Sequence, residues 1–526
     1  MTTAAMASPS PIVRPTGSIN MWNTARHSLG IYRCVVNTST YTVPDNLRTC
    51  RSLKTAVQRA LAQVVQRHGV LRVGIVDEDT DKPSFVHIRQ LDLNQMVHWV
   101  EKIGHESDSV DSVDGLLRAT EKQHNQVWED LGNKPGWKLL VHESRRDGIP
   151  TSLDISLCFH HAYMDGGSTY IFHQDLLRAL NDQEVTADPE TPFSATMHFP
   201  SPPVLAAATE DLIPFKISVL FLITMLWTEI IRDAVLPSWL RQPTPPDRIP
   251  WTGKPINPEP HRANLRCIRI SSASLTALLR ACRAQRATLT TLLQGLVAAS
   301  LSARLPPAGE GAALCFQSSC PVALGRFARA PHDHKTELHC LVTGVSHRIE
   351  PETVAALRRA QSDGGGGDAD ADADADADEI IWNIARASTT QLRAKVASLP
   401  QDDKVALMTW ISNWQQFFVK KFGKKREDTF EVSNLGSMSA GQTGRESSSS
   451  SSHPASQRWQ IDRAMFSQGA NVTGSAFALN VAGVEGEGVW VTVSWQEGIV
   501  DTGLMEGVVG DVQRWADEFP ERERFY

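Results

Sequence analysis

The sequence predicts a mixed α/β protein, with sheets flanked by helices and the chain divided into two domains. Three observations carry that expectation. The 526 residues exceed the roughly 250–300 at which a single core stops growing. A strand pattern, a glycine break and a helix pattern follow one another between Ser152 and Leu180. Eight prolines then crowd the stretch from Pro237 to Pro260, a stiff crossover with little apolar periodicity.

Along the chain, Leu53, Ala56, Val57, Ala60, Leu61 and Val64 keep helical spacing. Gly69 is positioned to stop that helix, and residues 70–76 read as the strand after it. Leu153, Ile155, Leu157 and Phe159 alternate with Ser152, Asp154, Ser156 and Cys158, the pattern of a half-buried strand. Past Gly166-Gly167, Ser168 is the expected N-cap of a helix with Phe172, Leu176 and Leu180 on one face. Ile217 to Thr228 is the most apolar run, about a dozen residues, too short to span a bilayer and expected as a core or interfacial helix.

The proline-rich stretch divides the sequence into an N-terminal domain, 1–236, a linker, 237–260, and a C-terminal domain, 261–526. In the second, Leu289, Leu292, Leu293, Leu296 and Val297 mark a helix. Val489, Val491, Val493 and Trp495 mark a strand, and Leu504, Val508, Val512 and Trp515 a closing helix. Two inserts are expected to be disordered: 362–379, a glycine run followed by Asp-Ala repeats, and 440–456, centred on a serine run.

Composition narrows the function classes. Hydrophobic content of 41% with 21% charged residues suits a globular enzyme, and a net charge of −7 argues against a nucleic-acid partner. The first thirty residues lack a charged segment followed by an apolar core, and the eight cysteines include no Cys-x-x-Cys pair. A monomer in the cytoplasm with reduced thiols is the expectation. Peripheral contact with the endoplasmic reticulum membrane or a lipid droplet stays open.

The strand-to-helix turn carries His160-His161-Ala162-Tyr163-Met164-Asp165-Gly166. His-x-x-x-Asp alone is expected about once by chance in such a chain, but with the preceding His and following Gly only about twice in a thousand. Acyl transfer from a thioester to an alcohol needs a base for the hydroxyl proton, a donor for the oxyanion and a leaving thiolate. A neutral histidine suits the first task. No Gly-x-Ser-x-Gly elbow is present to supply a covalent nucleophile. His332, His334, His339 and Cys340 have the composition of metal ligands but not the paired spacing, and read as a polar loop.

The seven-residue segment resembles the active-site motif of the acyl-CoA-dependent acyltransferase superfamily. That group includes chloramphenicol acetyltransferases, carnitine acyltransferases, plant alcohol acyltransferases and peptide-synthetase condensation domains. The nearest resemblance is to the fungal alcohol acetyltransferase family. Ala25–Tyr32, Arg67–Arg72, Phe430–Gly436 and the Phe477–Trp495 region follow its order, whereas the plant-type Asp-Phe-Gly-Trp-Gly signature is missing.

The resemblance implies two chloramphenicol acetyltransferase-like domains with a tunnel between them. Coenzyme A thioester, acetyl-CoA first, would enter one side and a small alcohol or secondary-metabolite hydroxyl the other, with no metal. His161 would be the general base, His160 an orienting neighbour, and Asp165 a structural residue whose ion-pair partner would be Arg26. Gly166 would permit the tight turn, and Ser433, Asn434 and Gly436 would serve the oxyanion or coenzyme A. N-acylation, condensation on carrier-bound thioesters and an inactive binding module are the competing readings.

Overall fold

The computed structural model describes residues 11–47, 53–100, 110–183, 193–227, 249–306, 314–363, 371–440 and 457–526. Among these, eleven strands form the two larger sheets. They are β1 (Val35–Thr42), β2 (Val97–Val100), β3 (Trp137–Arg146), β4 (Ile149–Phe159), β5 (Ala263–Ile270) and β6 (Phe316–Ala323). The remainder are β7 (Val342–Ile349), β8 (Phe430–Met438), β9 (Gln460–Gln468), β10 (Phe477–Val484) and β11 (Val489–Gln496). The helices that matter here are α1 (Ser18–Ser28), α2 (Leu53–Arg67), α3 (Gly166–Asn181) and α4 (Val219–Leu226). They continue with α5 (Leu289–Arg304), α6 (Ala371–Ser398), α7 (Trp414–Val419) and α8 (Thr502–Arg522).

The first sheet runs β9-β1-β4-β3-β2 and the second β5-β11-β10-β8-β6-β7. Val57, Ala60, Leu61 and Val64 of α2 share one core with Phe172, Leu176 and Leu180 of α3 and with Leu153, Ile155 and Leu157 of β4. A second core joins Leu292 and Leu296 of α5, Ile381 of α6 and Val508 and Trp515 of α8 to Phe430 and Val432 of β8. The sequence therefore predicts the mixed α/β class, the helices and most strands correctly.

Several local expectations change. Helix α2 does stop before Gly69, but Gly69–Arg72 forms a 3-10 turn and only Val73–Val76 is strand. A Cβ at Gly69 would lie 2.9 Å from Pro203 Cβ and from the Val204 carbonyl, so close approach selects the glycine. From Leu153 to Phe159 strand β4 is buried on both faces, and polar residues within that stretch are paired. Asp154 meets Arg463 at 2.8 Å, and Ser156 meets Thr38 at 2.8 Å.

One strand crosses the division of the sequence at 237–260. Strand β9 comes from the second stretch yet pairs antiparallel with β1, from Gln460↔Thr42 to Gln468↔Val35. It covers the edge of β1, whose backbone groups would otherwise stay unpaired. Of the linker, 237–248 lie outside the described residues. The rest is docked: Trp251 N donates to the Cys315 carbonyl and Lys254 N to that of Ile499.

The expected disorder of 362–379 is corrected in part. Residues 362–363 end a helix, Pro351–Asp363, and 371–379 begin α6, whereas 364–370 lie outside the described residues. Ala377 is buried, and Asp378 accepts the backbone N–H groups of Phe525 at 3.0 Å and Tyr526 at 3.3 Å. Alternating alanine, the best helix former, offsets the low propensity of aspartate. Of the insert 440–456, all but Ala440 lies outside the described residues.

Of the two expectations for the apolar run at 217–228, the core helix is corrected. Helix α4 buries none of its residues, and Val219 and Leu220 are 73% and 75% exposed. No helix among the described residues is long and apolar enough to cross a membrane.

Candidate active site

The motif follows directly on β4. Gln468, Val35 and Phe159 form one row across the first sheet at that end, and His160 and His161 come next in the chain. Loops there are held by a rigid sheet, which suits groups that must be positioned for chemistry.

The His161 ring keeps an open edge although protein surrounds it. Its Nδ1 lies 3.0 Å from the Met164 carbonyl. A carbonyl only accepts, so Nδ1 carries the ring hydrogen and Nε2 keeps its lone pair. Among the described residues no hydrogen bond engages Nε2. Tyr32 and Phe159 pack on the ring at 5.7 and 6.4 Å between centroids. Burial, and then the Arg26 guanidinium, hold the imidazole down to about 4, so it is neutral at physiological pH. Cys340 Sγ is 3.8 Å from Nδ1, but burial pushes this thiol well up, which removes its nucleophilic form.

Asp165, rather than Ser168, is the N-cap of α3. Its Oδ1 accepts from Ser168 N at 2.9 Å and Ser168 Oγ at 3.0 Å, as a carboxylate at a helix N-terminus should. Its Oδ2 accepts from Leu341 N at 2.9 Å, and its own N–H donates to the His339 carbonyl at 2.8 Å. Asp165 thereby staples the motif turn to the segment before β7.

The expected Asp165–Arg26 ion pair is absent among the described residues, because both groups are engaged elsewhere. Arg26, 2% exposed, lies over the rings of Tyr32 at 3.8 Å and Trp22 at 4.1 Å. It donates to Asn471 Oδ1 at 3.2 Å and Asn23 Oδ1 at 3.4 Å. Its proximity to the His161 ring makes it an electrostatic neighbour of the base.

Gly166 is required by contact more than by turn geometry. A Cβ there would fall 2.6 Å from Leu435 Cδ2 and 3.3 Å from Phe466 Cζ. Gly166→Ala is expected to cost about 1–3 kcal/mol by overpacking, in chemical denaturation. Leu435→Ala added to it should recover part of that loss; a double variant no more stable than the single one would show that the clash lies elsewhere.

His160 is 1% exposed, with both ring nitrogens engaged. Its Nδ1 accepts from Ala162 N at 3.0 Å, so Nε2 carries the hydrogen it gives to Glu78 Oε1 at 2.7 Å. His27 mirrors it, with Nε2 accepting from Trp128 N at 3.0 Å and Nδ1 donating to Glu78 at 2.9 Å. His27, Glu78 and His160 have the grouping of a metal site. Yet both nitrogens that face Glu78 carry hydrogens and offer no lone pair to an ion. Despite its burial, hydrogen bonds from His160 and His27 draw the Glu78 carboxyl down to about 2, and it binds α1 to the motif turn.

The residues expected from β8 separate by face. Phe430 and Val432 enter the second core, and Asn434 shares their side, giving its Nδ2–H to Thr290 Oγ1 at 3.0 Å. Asn434 Oδ1 accepts from Gly436 N at 2.8 Å, so both ends of this amide are used. Gly436 has φ +76°, a conformation glycine favours, and its carbonyl accepts from Tyr170 Oη at 2.9 Å. Ser433 shares its face with Leu435, which reaches the motif. Of the three residues, Ser433 alone shares the face of Leu435.

Sequence reasoning missed Glu78, Gln468, Glu431 and the docking of His339–Leu341 on Asp165. It also passed over the run Lys420, Lys421, Lys424, Lys425 and Arg426, which follows α7. Trp414 and Phe418 of α7 pack with Ala25 and Trp22 of α1, beside Arg26.

A family model described as alcohol acetyltransferase matches residues 16–307. The chain is 30% identical over 519 residues to "Probable alcohol acetyltransferase FCK4" of Fusarium pseudograminearum, covering 96% of this chain and 94% of that protein. It is 23% identical to "Probable alcohol acetyltransferase crmB" of Aspergillus fumigatus, covering 96% and 99%. Among solved structures, the trichothecene 15-O-acetyltransferase TRI3 of Fusarium sporotrichioides superposes with a TM-score of 0.64 at 12% identity, over 94% of this chain and 93% of its own. The first condensation domain of the calcium-dependent antibiotic synthetase does so with a TM-score of 0.56 at 12% identity, over 97% of each chain.

Proposed function

The chain belongs to the alcohol acetyltransferase family and is an O-acyltransferase, and on that premise we propose that His161 Nε2 takes the acceptor's hydroxyl proton for direct attack on an acyl-CoA thioester. The observation that carries this reading is the Nδ1–H bond to the Met164 carbonyl, which leaves the lone pair on the nitrogen at the open edge.

The alcohol oxygen bonds to the thioester carbon while its proton moves to Nε2. Collapse of the tetrahedral intermediate breaks the C–S bond, and the imidazolium returns that proton to the departing thiolate. The base is regenerated and no acyl-enzyme forms. The Ser433 hydroxyl is the group we assign to the oxyanion or the pantetheine arm, since the Asn434 amide is committed to Thr290 and Gly436. The exposed Lys420, Lys424 and Lys425 supply cations suited to a donor that carries phosphates. We take acetyl-CoA as the donor, and the hydroxyl of a small alcohol or secondary metabolite as the acceptor.

The experiment is to follow free thiol from purified protein given acetyl-CoA and a panel of alcohols and amines. Alcohol-dependent thiol release with stoichiometric ester is expected. Release with amines alone, or only from carrier-bound thioesters, would replace this reading with one of its competitors.

A further inference from the structure

Glu431 is the one acidic side chain of β8, and among the described residues no cation pairs with it directly. The strand alternates, so Glu431, Ser433 and Leu435 share the face on which Leu435 touches Gly166 of the motif. Phe430 and Val432 on the other face are completely buried, whereas Glu431 keeps partial access to solvent.

Its Oε1 accepts from Gln468 Nε2 at 2.6 Å. Gln468 in turn accepts from Tyr32 Oη at 2.7 Å, and the Tyr32 ring lies 5.7 Å from that of His161. Two hydrogen bonds thus link this carboxylate to the tyrosine whose ring packs on that of the base. Among the described residues no cation lies within ion-pair distance of it. The nearby Arg26 guanidinium is directed to Asn471 and Asn23 instead. Burial raises the Glu431 carboxyl and Asp428 adds to this, while the Gln468 hydrogen bond and the more distant Arg26 guanidinium offset part of it.

A neutral glutamine would tie β8 to Gln468 as well, without the cost of desolvating a charge. The carboxylate is better explained by a partner that arrives with the substrate. Resting on the acyl-transfer reading above, we propose that Glu431 determines acceptor specificity by taking a hydrogen bond from a second polar group of the acceptor, a hydroxyl or an ammonium. The preferred acceptors are then diols or amino alcohols rather than simple alkanols.

The test compares kcat/KM for straight-chain alcohols with the matching terminal diols and amino alcohols, using acetyl-CoA and the full chain. Wild type should favour a bifunctional acceptor of suitable length over its alkanol. Glu431→Gln should lower that preference ratio about tenfold or more, because the site loses the charged acceptor it was built around. A larger collapse for amino alcohols than for diols would identify the ammonium as the partner group. Thiol release without any preference in wild type overturns the proposal while leaving acyl transfer intact. So does a uniform fall in Glu431→Gln that keeps the ratio, since that is the mark of a structural role. No thiol release from any alcohol would overturn the acyl-transfer reading and this one with it.

Discussion

His161→Ala lowers kcat by about 10²–10⁴-fold, the usual contribution of a positioned general base, and leaves the unfolding transition nearly unchanged. The ring makes one backbone hydrogen bond, to Met164, and among the described residues its other nitrogen has no partner, so what is lost with it is that bond and the ring contacts with Tyr32 and Phe159. KM for the donor should change little, because the lost interaction is made in the transition state. The check is steady-state thiol release beside a denaturation curve of the same sample. Turnover within a few-fold of wild type would remove His161 from the chemistry.

Asp165→Ala produces the largest loss of stability at the site, about 3–5 kcal/mol in chemical denaturation. It leaves the buried N–H groups of Ser168 and Leu341 without their acceptor and removes the cap of α3. Activity falls with it, since the staple between the motif turn and the segment before β7 is gone. Asp165→Asn should be intermediate, because an amide offers one acceptor oxygen where two are used. Arg26→Ala should not reproduce the effect, as Arg26 is bound to Asn471, Asn23 and two aromatic rings. Equal destabilisation by both variants would point to a coupling that the geometry does not contain.

The contrast between these residues shows what was legible in the sequence. The motif turn could be read because a strand, a glycine break and a helix are contiguous, and alternation and helical spacing are local signals. The resemblance implies a structural Asp165, but the groups its carboxylate meets could not be read from it. Its charge is met by donors on Ser168, three residues on, and by the N–H of Leu341, and only folding brings Leu341 there. Gln468 reaches the site because β9 crosses to the first sheet, and no periodicity within 460–468 announces which sheet it joins. Glu78 sits in a short turn whose neighbours, His27 and His160, are 51 and 82 residues away in sequence. Helix α4 is apolar all round, so it has no polar face from which burial or exposure could be inferred. The Asp-Ala repeat misled in the opposite sense, since its composition reads as disorder while alanine propagates α6.

The protonation state of His161 is the central claim, and a pH–rate profile tests it most directly. Burial and Arg26 hold the imidazole down to about 4. The basic, active form should therefore persist as pH falls from 7 to about 5, with kcat/KM halved only near 4. Stability declines over part of this window. His161, His124, His173 and His261 all have folded values held down mainly by burial, so the unfolded chain takes up protons first as pH drops below its ordinary histidine range. Each low-pH sample should be reassayed at pH 7 to separate reversible titration from unfolding. A reversible acid limb near 4, lost in His161→Ala, is the predicted result; a limb near 6.5, or one unchanged in that variant, would contradict the account.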